Sequence, residues 1–184
     1  PPEIPAGVER RPVTSLCRKD SSLITRRSAI ADAALYGTVG HAVLEELAKN
    51  EWRGNIPELV VLFSAEFGDV EAESLVPQLE AARELLRRET AGAAALFAEY
   101  PFVLKRGDVI LDGTIDLLAR FSGGWKIFDY KFTNDSPEPA LRIYAPQLEA
   151  YREAVQKLYS QAEVSTALVL IGGSVQLAVL GELR

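Results

Sequence analysis

The spacing of apolar residues changes near the middle of the chain, from a helical period to a strand period. In the first half apolar residues recur every three or four positions, which predicts amphipathic helices. From Glu99 onwards the period shortens to two, which predicts strands with one face turned to a core. The predicted helices span 28–50, 74–98 and 146–160. The predicted strands span 99–105, 109–118, 125–132, 164–171 and 175–180.

The elements follow the order helix, helix, three strands, helix, two strands. This order predicts an α/β fold with a mixed central β-sheet flanked by helices. Residues 55–68 are apolar but fit neither period. Residues 133–145 are polar and contain two prolines, which predicts a loop. Pro146 suits the first turn of the helix that follows.

The first 27 residues have a different character from the rest. Five prolines and glycines interrupt them, which predicts irregular structure. Their basic residues outnumber the acidic ones and are Arg10, Arg11, Arg18, Lys19, Arg26 and Arg27. We therefore divide the chain into an irregular basic leader, 1–27, and a folded domain, 28–184. Two interpretations of the leader stay open: a solvated linker from an upstream domain, and a strip that contacts phosphates.

Composition narrows the classes of function. The chain has 184 residues, enough for one domain, and a formal net charge of −6, which excludes a polyanion-binding surface over the whole molecule. The single cysteine, Cys17, excludes a disulfide framework, a four-cysteine zinc site and a cysteine-ligated iron–sulfur cluster within this chain. No apolar run is long enough to span a membrane. Because the chain starts at Pro1 and contains no methionine, we expect it to be a piece of a longer protein.

Two neighbouring strands carry the residues with the clearest chemistry. Asp129 and Lys131 share one face of their strand, and Asp116 lies on the polar face of the preceding strand. An ion pair with Lys131 would neutralise one carboxylate, but a second carboxylate beside it would repel the first unless a cation lay between them. The pattern therefore favours Mg²⁺ or Mn²⁺, with His41, the only histidine, as an optional ligand. His41 follows Gly37 and Gly40 in a helix, and these glycines suggest that something approaches the helix closely.

Four motifs occur in a fixed order over roughly residues 28 to 171. They are Gly37-x-x-x-His41, Gly113-Thr114-Ile115-Asp116, Asp129-Tyr130-Lys131 and Gln147-x-x-x-Tyr151. With these motifs the chain resembles the PD-(D/E)XK nuclease superfamily, and within it the RecB-like nuclease domain at the C-terminus of AddA- and RecB-type helicase–nucleases. The resemblance implies a restriction-endonuclease-like core.

The resemblance also implies roles for individual residues. The implied metal ligands are His41, Asp116, Asp129 and the backbone carbonyl of Tyr130. The implied catalytic residues are Lys131, Asp116, Asp129, Gln147 and Tyr151, with Lys131 as the catalytic lysine and the last two beside the active site and the DNA strand. Glu99 resembles, more weakly, an acidic position upstream of the Asp116 strand.

By this resemblance we expect a Mg²⁺- or Mn²⁺-dependent deoxyribonuclease, more specifically an exonuclease, without an iron–sulfur cluster. Its substrate would be single-stranded DNA or duplex ends, delivered by a helicase domain of the same parent chain in cytoplasmic DNA repair and recombination. A further expected partner is a second subunit of the AddB type, and a membrane is not expected. Two alternatives stay open: a non-catalytic DNA-binding or scaffold module of a helicase complex, and a stand-alone exonuclease.

Overall fold

A mixed sheet of six strands forms the centre of the fold. The computed structural model describes residues 9–17, 27–160 and 162–181. The strands are β1 (Glu9–Pro12), β2 (Ala95–Arg106), β3 (Val109–Phe121), β4 (Gly124–Phe132), β5 (Glu163–Ile171) and β6 (Val175–Val179). The helices are α1 (Arg27–Lys49), α2 (Ile56–Phe67), α3 (Ala72–Glu89) and α4 (Pro137–Leu158), and a 3₁₀ helix spans Val13–Leu16. The predicted α/β fold with a mixed sheet flanked by helices is confirmed.

Strand β3 organises the sheet because it pairs with three other strands. It is antiparallel to β2 along nearly its whole length, parallel to β1 near its start and antiparallel to β4 near its end. Strand β4 continues the sheet through a parallel pairing with β5, which is antiparallel to β6. Helix α4 makes the connection between the two parallel strands β4 and β5.

Helices cover both faces of the sheet, so the protein has two apolar layers. Helix α4 and the 3₁₀ helix pack on one face, here called the α4 face. Helices α1, α2 and α3 pack on the other, the α1 face. None of the helices in the described parts of the chain is long and apolar enough to cross a lipid bilayer.

Strands β2 and β3 change faces together at Glu99 and Asp116. Residues two apart in a strand normally share a face, yet Ala98 packs on the α1 face and Tyr100 on the α4 face. In β3, likewise, Ile115 packs on the α4 face and Leu117 on the α1 face. The ladder skips Glu99 and Asp116, which lie between the pairs Ala98–Leu117 and Tyr100–Ile115. Glu99 has a positive φ of 48°, a conformation that residues other than glycine rarely adopt. The two carboxylates therefore stand where the sheet turns over.

Several element boundaries differ from the sequence-based predictions, the first of them at the end of α3. Helix α3 ends at Glu89, so the prediction that it continues to residue 98 is wrong. Thr90 ends it: its hydroxyl donates to the Leu86 carbonyl and accepts from the Trp52 indole, and Gly92 then turns the chain with a φ of 81°. Strand β2 consequently begins at Ala95.

The loop predicted over 133–145 is confirmed for 133–136 and wrong from 137 onwards, because α4 begins at Pro137. Proline suits this first position, and Ala140 and Leu141 are buried against the sheet in the next turn. Pro146 is therefore inside the helix, where its cost of about 3 kcal/mol is offset by burial on both sides of it. The ambiguous segment 55–68 contains α2.

The prediction that residues 1–27 are irregular is wrong for residues 9–16. Strand β1 pairs with β3, and Val13 is buried in the core of the α4 face, where a Cβ on Gly113 would lie 2.6 Å from its Cγ1. Arg10 pairs with Asp112, so this basic side chain is neutralised by the domain itself. Residues 1–8 and 18–26, among them Arg18, Lys19 and Arg26, lie outside the described residues, and the domain limits 28–184 stay a prediction.

Replacing Val13 with alanine tests this docking. We expect Val13→Ala to lower the free energy of unfolding by about 1–3 kcal/mol, because it removes buried methyl groups and leaves a cavity over Gly113. Thr14→Ala is the matched control, since the neighbouring side chain is exposed. Urea denaturation measures both. Equal midpoints for the two variants and the parent would show that the segment does not pack on the domain in solution.

Candidate active site

The candidate site lies in the fork where β3 and β4 separate. The ladder between these strands ends at the pair Leu117 and Phe128. Beyond it the Tyr130 N–H donates not to the β3 backbone but to Oδ2 of Asp116, at 2.6 Å. Strand β4 can part from β3 here and still remain in the sheet, because it pairs with β5 along its other edge. Asp116 and Asp129, the next residues after the last pair, therefore flank the opening.

Three possible ligand side chains meet on one side of the fork. A nitrogen of His41 and carboxylate oxygens of Glu99 and Asp116 all lie within 4.8 Å of one another, and all three residues are partly exposed. His41 Nδ1 is 3.6 Å from Asp116 Oδ1. These three residues come from α1, β2 and β3, so only the complete fold assembles them.

Aromatic packing holds the His41 ring in place. Its ring centroid is 5.7 Å from those of Tyr130 and Phe132. A Cβ on Gly40 would overlap the Phe132 ring, so the expected close approach to the helix is confirmed at this glycine. At Gly37 no described residue lies within 4 Å of the Cβ position.

The imidazole is neutral near physiological pH. Burial and the charge of Lys131 lower the pKa of His41 to about 4, although a hydrogen bond with the Tyr130 backbone opposes this shift. A neutral imidazole is the form that binds a metal ion.

A second group of side chains holds Asp129 on the α4 face. This carboxylate is completely buried, and its Oδ2 is 2.5 Å from Lys131 Nζ. The Gln147 amide donates to Asp129 Oδ1 at 3.1 Å and to the Tyr151 hydroxyl at 2.5 Å. Gln147 and Tyr151 are one turn apart on α4, as their spacing predicted. The Cys17 thiol completes the group by donating to Gln147 Oε1 at 3.4 Å.

Lys131 is held from two directions. Its ammonium pairs with Asp129 and lies 4.8 Å from the centroid of the Tyr144 ring, within cation–π range. Burial alone would lower the pKa of Lys131, but the charges of Asp129 and Asp116 outweigh burial and raise it. The lysine is therefore positively charged at neutral pH.

The carboxylates, in contrast, carry more negative charge than their surroundings compensate. Burial, and then the charge of Asp129, raise the pKa of Asp116 well above its usual range, although Lys131 and the Tyr130 N–H oppose this. Burial raises the pKa of Asp129 against the opposing charge of Lys131. Burial and the charge of Glu45 raise the pKa of Glu99. A divalent cation would relieve this excess, and a neutral imidazole with carboxylate oxygens fits Mg²⁺ or Mn²⁺.

The structure thus places the residues predicted for the site in two adjacent groups. The first, here called the ligand group, joins His41 and Asp116 to Glu99. The second, here called the lysine group, joins Asp129, Lys131, Gln147 and Tyr151. The assignment of Asp129 and of the Tyr130 carbonyl as metal ligands stays a prediction, since Asp129 pairs with Lys131 and lies outside the 4.8 Å group.

In the structure Glu99 belongs to the ligand group, whereas in the sequence it resembles an acidic position of the family only weakly. One signal could have found it. The turn Gly107-Asp108 makes Arg106 and Val109 partners, and counting back along both strands from that pair places Glu99 opposite Asp116. No such signal exists for Cys17, because its contact with Gln147 depends on how the 3₁₀ helix packs against α4.

Comparison with known proteins agrees with this geometry. Residues 17–179 match the PD-(D/E)XK nuclease superfamily. The chain is 31% identical over 140 residues to "Exonuclease/helicase subunit RexA" of Lactococcus lactis subsp. cremoris strain MG1363, a match that covers 72% of this chain and 11% of that protein. It is 30% identical over 146 residues to one subunit of an ATP-dependent helicase/nuclease from Lactococcus lactis subsp. lactis strain IL1403, a match that covers 75% of this chain and again 11% of the relative.

A solved structure of a protein from Eubacterium rectale covers 90% of this chain and 79% of its own, with 10% identity and a TM-score of 0.44. The family match, by comparison, extends from the end of the 3₁₀ helix to the last strand and includes both groups of the site. On that match, the chain belongs to the PD-(D/E)XK nuclease superfamily, with distant and partial homology to RexA-type helicase–nuclease subunits.

Proposed function

We propose that this chain is a deoxyribonuclease domain that hydrolyses phosphodiester bonds with the help of Mg²⁺ or Mn²⁺. The observation that carries the proposal is the pair of adjacent groups in the fork. A neutral imidazole and two carboxylates meet within 4.8 Å, beside a buried aspartate that holds a charged lysine. Phosphodiester hydrolysis needs both parts, because it requires an activated water and stabilisation of negative charge on phosphorus.

The ligand group would hold the ion through His41, Glu99 and Asp116. A bound Mg²⁺ or Mn²⁺ supplies Lewis acidity toward a phosphoryl oxygen and lowers the pKa of a coordinated water. The residues themselves contribute orientation. The Tyr130 N–H fixes Asp116 Oδ2, which leaves Oδ1 on the side of His41.

The lysine group would stabilise charge on the phosphate. Lys131 stays protonated, so its ammonium can donate hydrogen bonds to a phosphoryl oxygen as negative charge develops there. Asp129 and the Tyr144 ring fix the position of the ammonium, and Gln147 in turn fixes Asp129. Burial raises the pKa of Tyr151, so its hydroxyl keeps its proton and remains a hydrogen-bond donor.

The proposed substrate is single-stranded DNA delivered by a helicase in the same parent protein. Two relatives are named as helicase–nuclease or exonuclease–helicase subunits, and this chain spans only 11% of their length. By analogy we propose exonucleolytic cutting in DNA repair and recombination, in partnership with a second subunit of the AddB type. The chemistry of the fork does not depend on these partners.

The main alternative is a scaffold that binds DNA without cutting it. The electrostatics of the fork argue against this alternative. Buried carboxylates whose pKa values are raised by burial destabilise the fold, and a scaffold would lose nothing by replacing them with apolar residues. Cleavage of a labelled single strand in Mg²⁺ but not in EDTA would support the nuclease. Binding without cutting in either Mg²⁺ or Mn²⁺ would support the scaffold.

Removing the lysine charge should abolish cleavage. We expect Lys131→Met to reduce the cleavage rate by about 10²-fold or more, because it removes the donor to the phosphoryl oxygen. Lys126→Met is the matched control. Lys126 lies on the same strand, is similarly buried and also pairs with an acidic residue, Glu89 at 2.7 Å, but it is outside the fork. Gel-based cleavage assays and circular dichroism measure activity and folding. Equal activity of the two variants would contradict the role of Lys131.

Neutralising Asp116 should separate stability from metal binding. We expect Asp116→Asn to unfold at a temperature equal to or above that of the parent without metal, because it removes a buried charge next to Asp129 and still accepts from the Tyr130 N–H. The increase in Tm that Mn²⁺ gives the parent should be reduced or lost. The control is Glu45→Gln, an identical change of charge outside the ligand group, which should keep that increase. A full Mn²⁺ response in Asp116→Asn would exclude Asp116 as a ligand.

A further inference from the structure

A cavity of about 220 Å³ lies at the ends of β4 and β5, immediately beyond Lys131 along the chain. The rings of Tyr36 and Phe132 and the amide side chains of Gln78 and Asn134 line it. Phe132 forms a wall shared with the candidate active site, because its ring also packs against the His41 ring. The cavity therefore adjoins the fork.

The amide groups of the cavity have hydrogen-bonding capacity that the protein does not use. Gln78 makes no side-chain hydrogen bond with any described residue, although it is only partly exposed. Asn134 accepts a hydrogen bond from the Gly173 N–H at 2.8 Å through Oδ1, which leaves its Nδ2 donors without a partner among the described residues. The cavity thus presents free donors and one free acceptor.

The surrounding backbone fixes the Asn134 side chain and the Tyr36 ring. The Thr133 N–H donates to the Ile171 carbonyl at 2.9 Å and ties the two strand ends together. A Cβ on Gly172 would overlap the Thr133 carbonyl oxygen and the Asn134 side chain, so only glycine allows this approach. The Tyr36 hydroxyl donates to the Glu71 carbonyl at 3.0 Å, which orients its ring. A site held in place in this way loses little entropy when a ligand binds.

The lining favours one class of ligand. Among the described residues that line the cavity none is charged, and these residues offer a phosphate or another anion no counter-charge. Two aromatic rings and two amides are instead the groups that recognise an unpaired nucleobase, by stacking on its face and by hydrogen bonds to its edge.

We propose that this cavity binds an unpaired base of the DNA strand that is cut in the fork. The proposal rests on the proposed function and adds a base-binding subsite to it. Gly37 lies on α1 between Tyr36 of the cavity and His41, and no described residue lies within 4 Å of its Cβ position. A strand can therefore run along α1 with its phosphate in the fork and a neighbouring base in the cavity.

The test uses single-stranded oligodeoxynucleotides in which one abasic position is moved along the sequence. Binding to the chain is measured by fluorescence anisotropy with Ca²⁺ in place of Mg²⁺. For the parent we expect one abasic position to weaken binding by about 5-fold or more, because stacking of one base is lost there. Gln78→Leu should weaken binding of the intact strand by about 2- to 10-fold and leave binding of that abasic strand unchanged.

Gln156→Leu is the matched control, since Gln156 is an exposed glutamine on α4, on the opposite face of the sheet. It should behave like the parent. The proposal is wrong if no abasic position matters, if Gln78→Leu weakens both strands equally, or if the parent binds no single strand. If the parent shows the abasic effect but never cuts in Mg²⁺ or Mn²⁺, the proposed nuclease function is wrong and the proposal that the cavity binds a base still holds. If the parent cuts DNA but shows no abasic effect, only the proposal that the cavity binds a base is wrong.

Discussion

The repulsion between carboxylates in the fork is the constraint around which the rest of the site is arranged. Asp116 and Asp129 lie where β3 and β4 separate, and burial together with the charge of Asp129 raises the pKa of Asp116. Lys131 compensates part of this charge. The remainder falls where a neutral imidazole, His41, and a further carboxylate, Glu99, converge on Asp116 from two other elements.

The change of faces in β2 and β3 is the structural means by which the carboxylates reach the fork. A regular pair of strands would bury Glu99 and Asp116 in one of the two apolar layers. The positive φ of Glu99 turns the ladder over at that pair and presents both side chains at the boundary between the layers. A strained backbone of this kind costs of order 1–3 kcal/mol and is concentrated at functional sites.

Much of this arrangement follows from local sequence patterns. The alternation in β4 predicts that Asp129 and Lys131 share a face, and the four-residue spacing of Gln147 and Tyr151 predicts that they share one face of a helix. The alternation in β3 fails at Asp116, where the strand changes faces. Local patterns fail to predict element boundaries and contacts that depend on burial against distant parts of the fold. Pro146 indicates a helix start, yet the burial of Ala140 and Leu141 extends α4 by more than two turns. The docking of Val13 over Gly113 depends on a contact between distant segments, which no local pattern contains.

Strand β1 has a further consequence for the sheet. It occupies the edge of β3 that β4 leaves free, over Val109 to Asp112. A chain shortened to begin at α1 would expose the backbone N–H and C=O groups of that edge to solvent. Unpaired strand edges can recruit strands from other molecules. Loss of β1 would therefore replace a short edge that ends in Pro12 with an edge of β3 open to such pairing, although every residue proposed for metal binding and catalysis is still present.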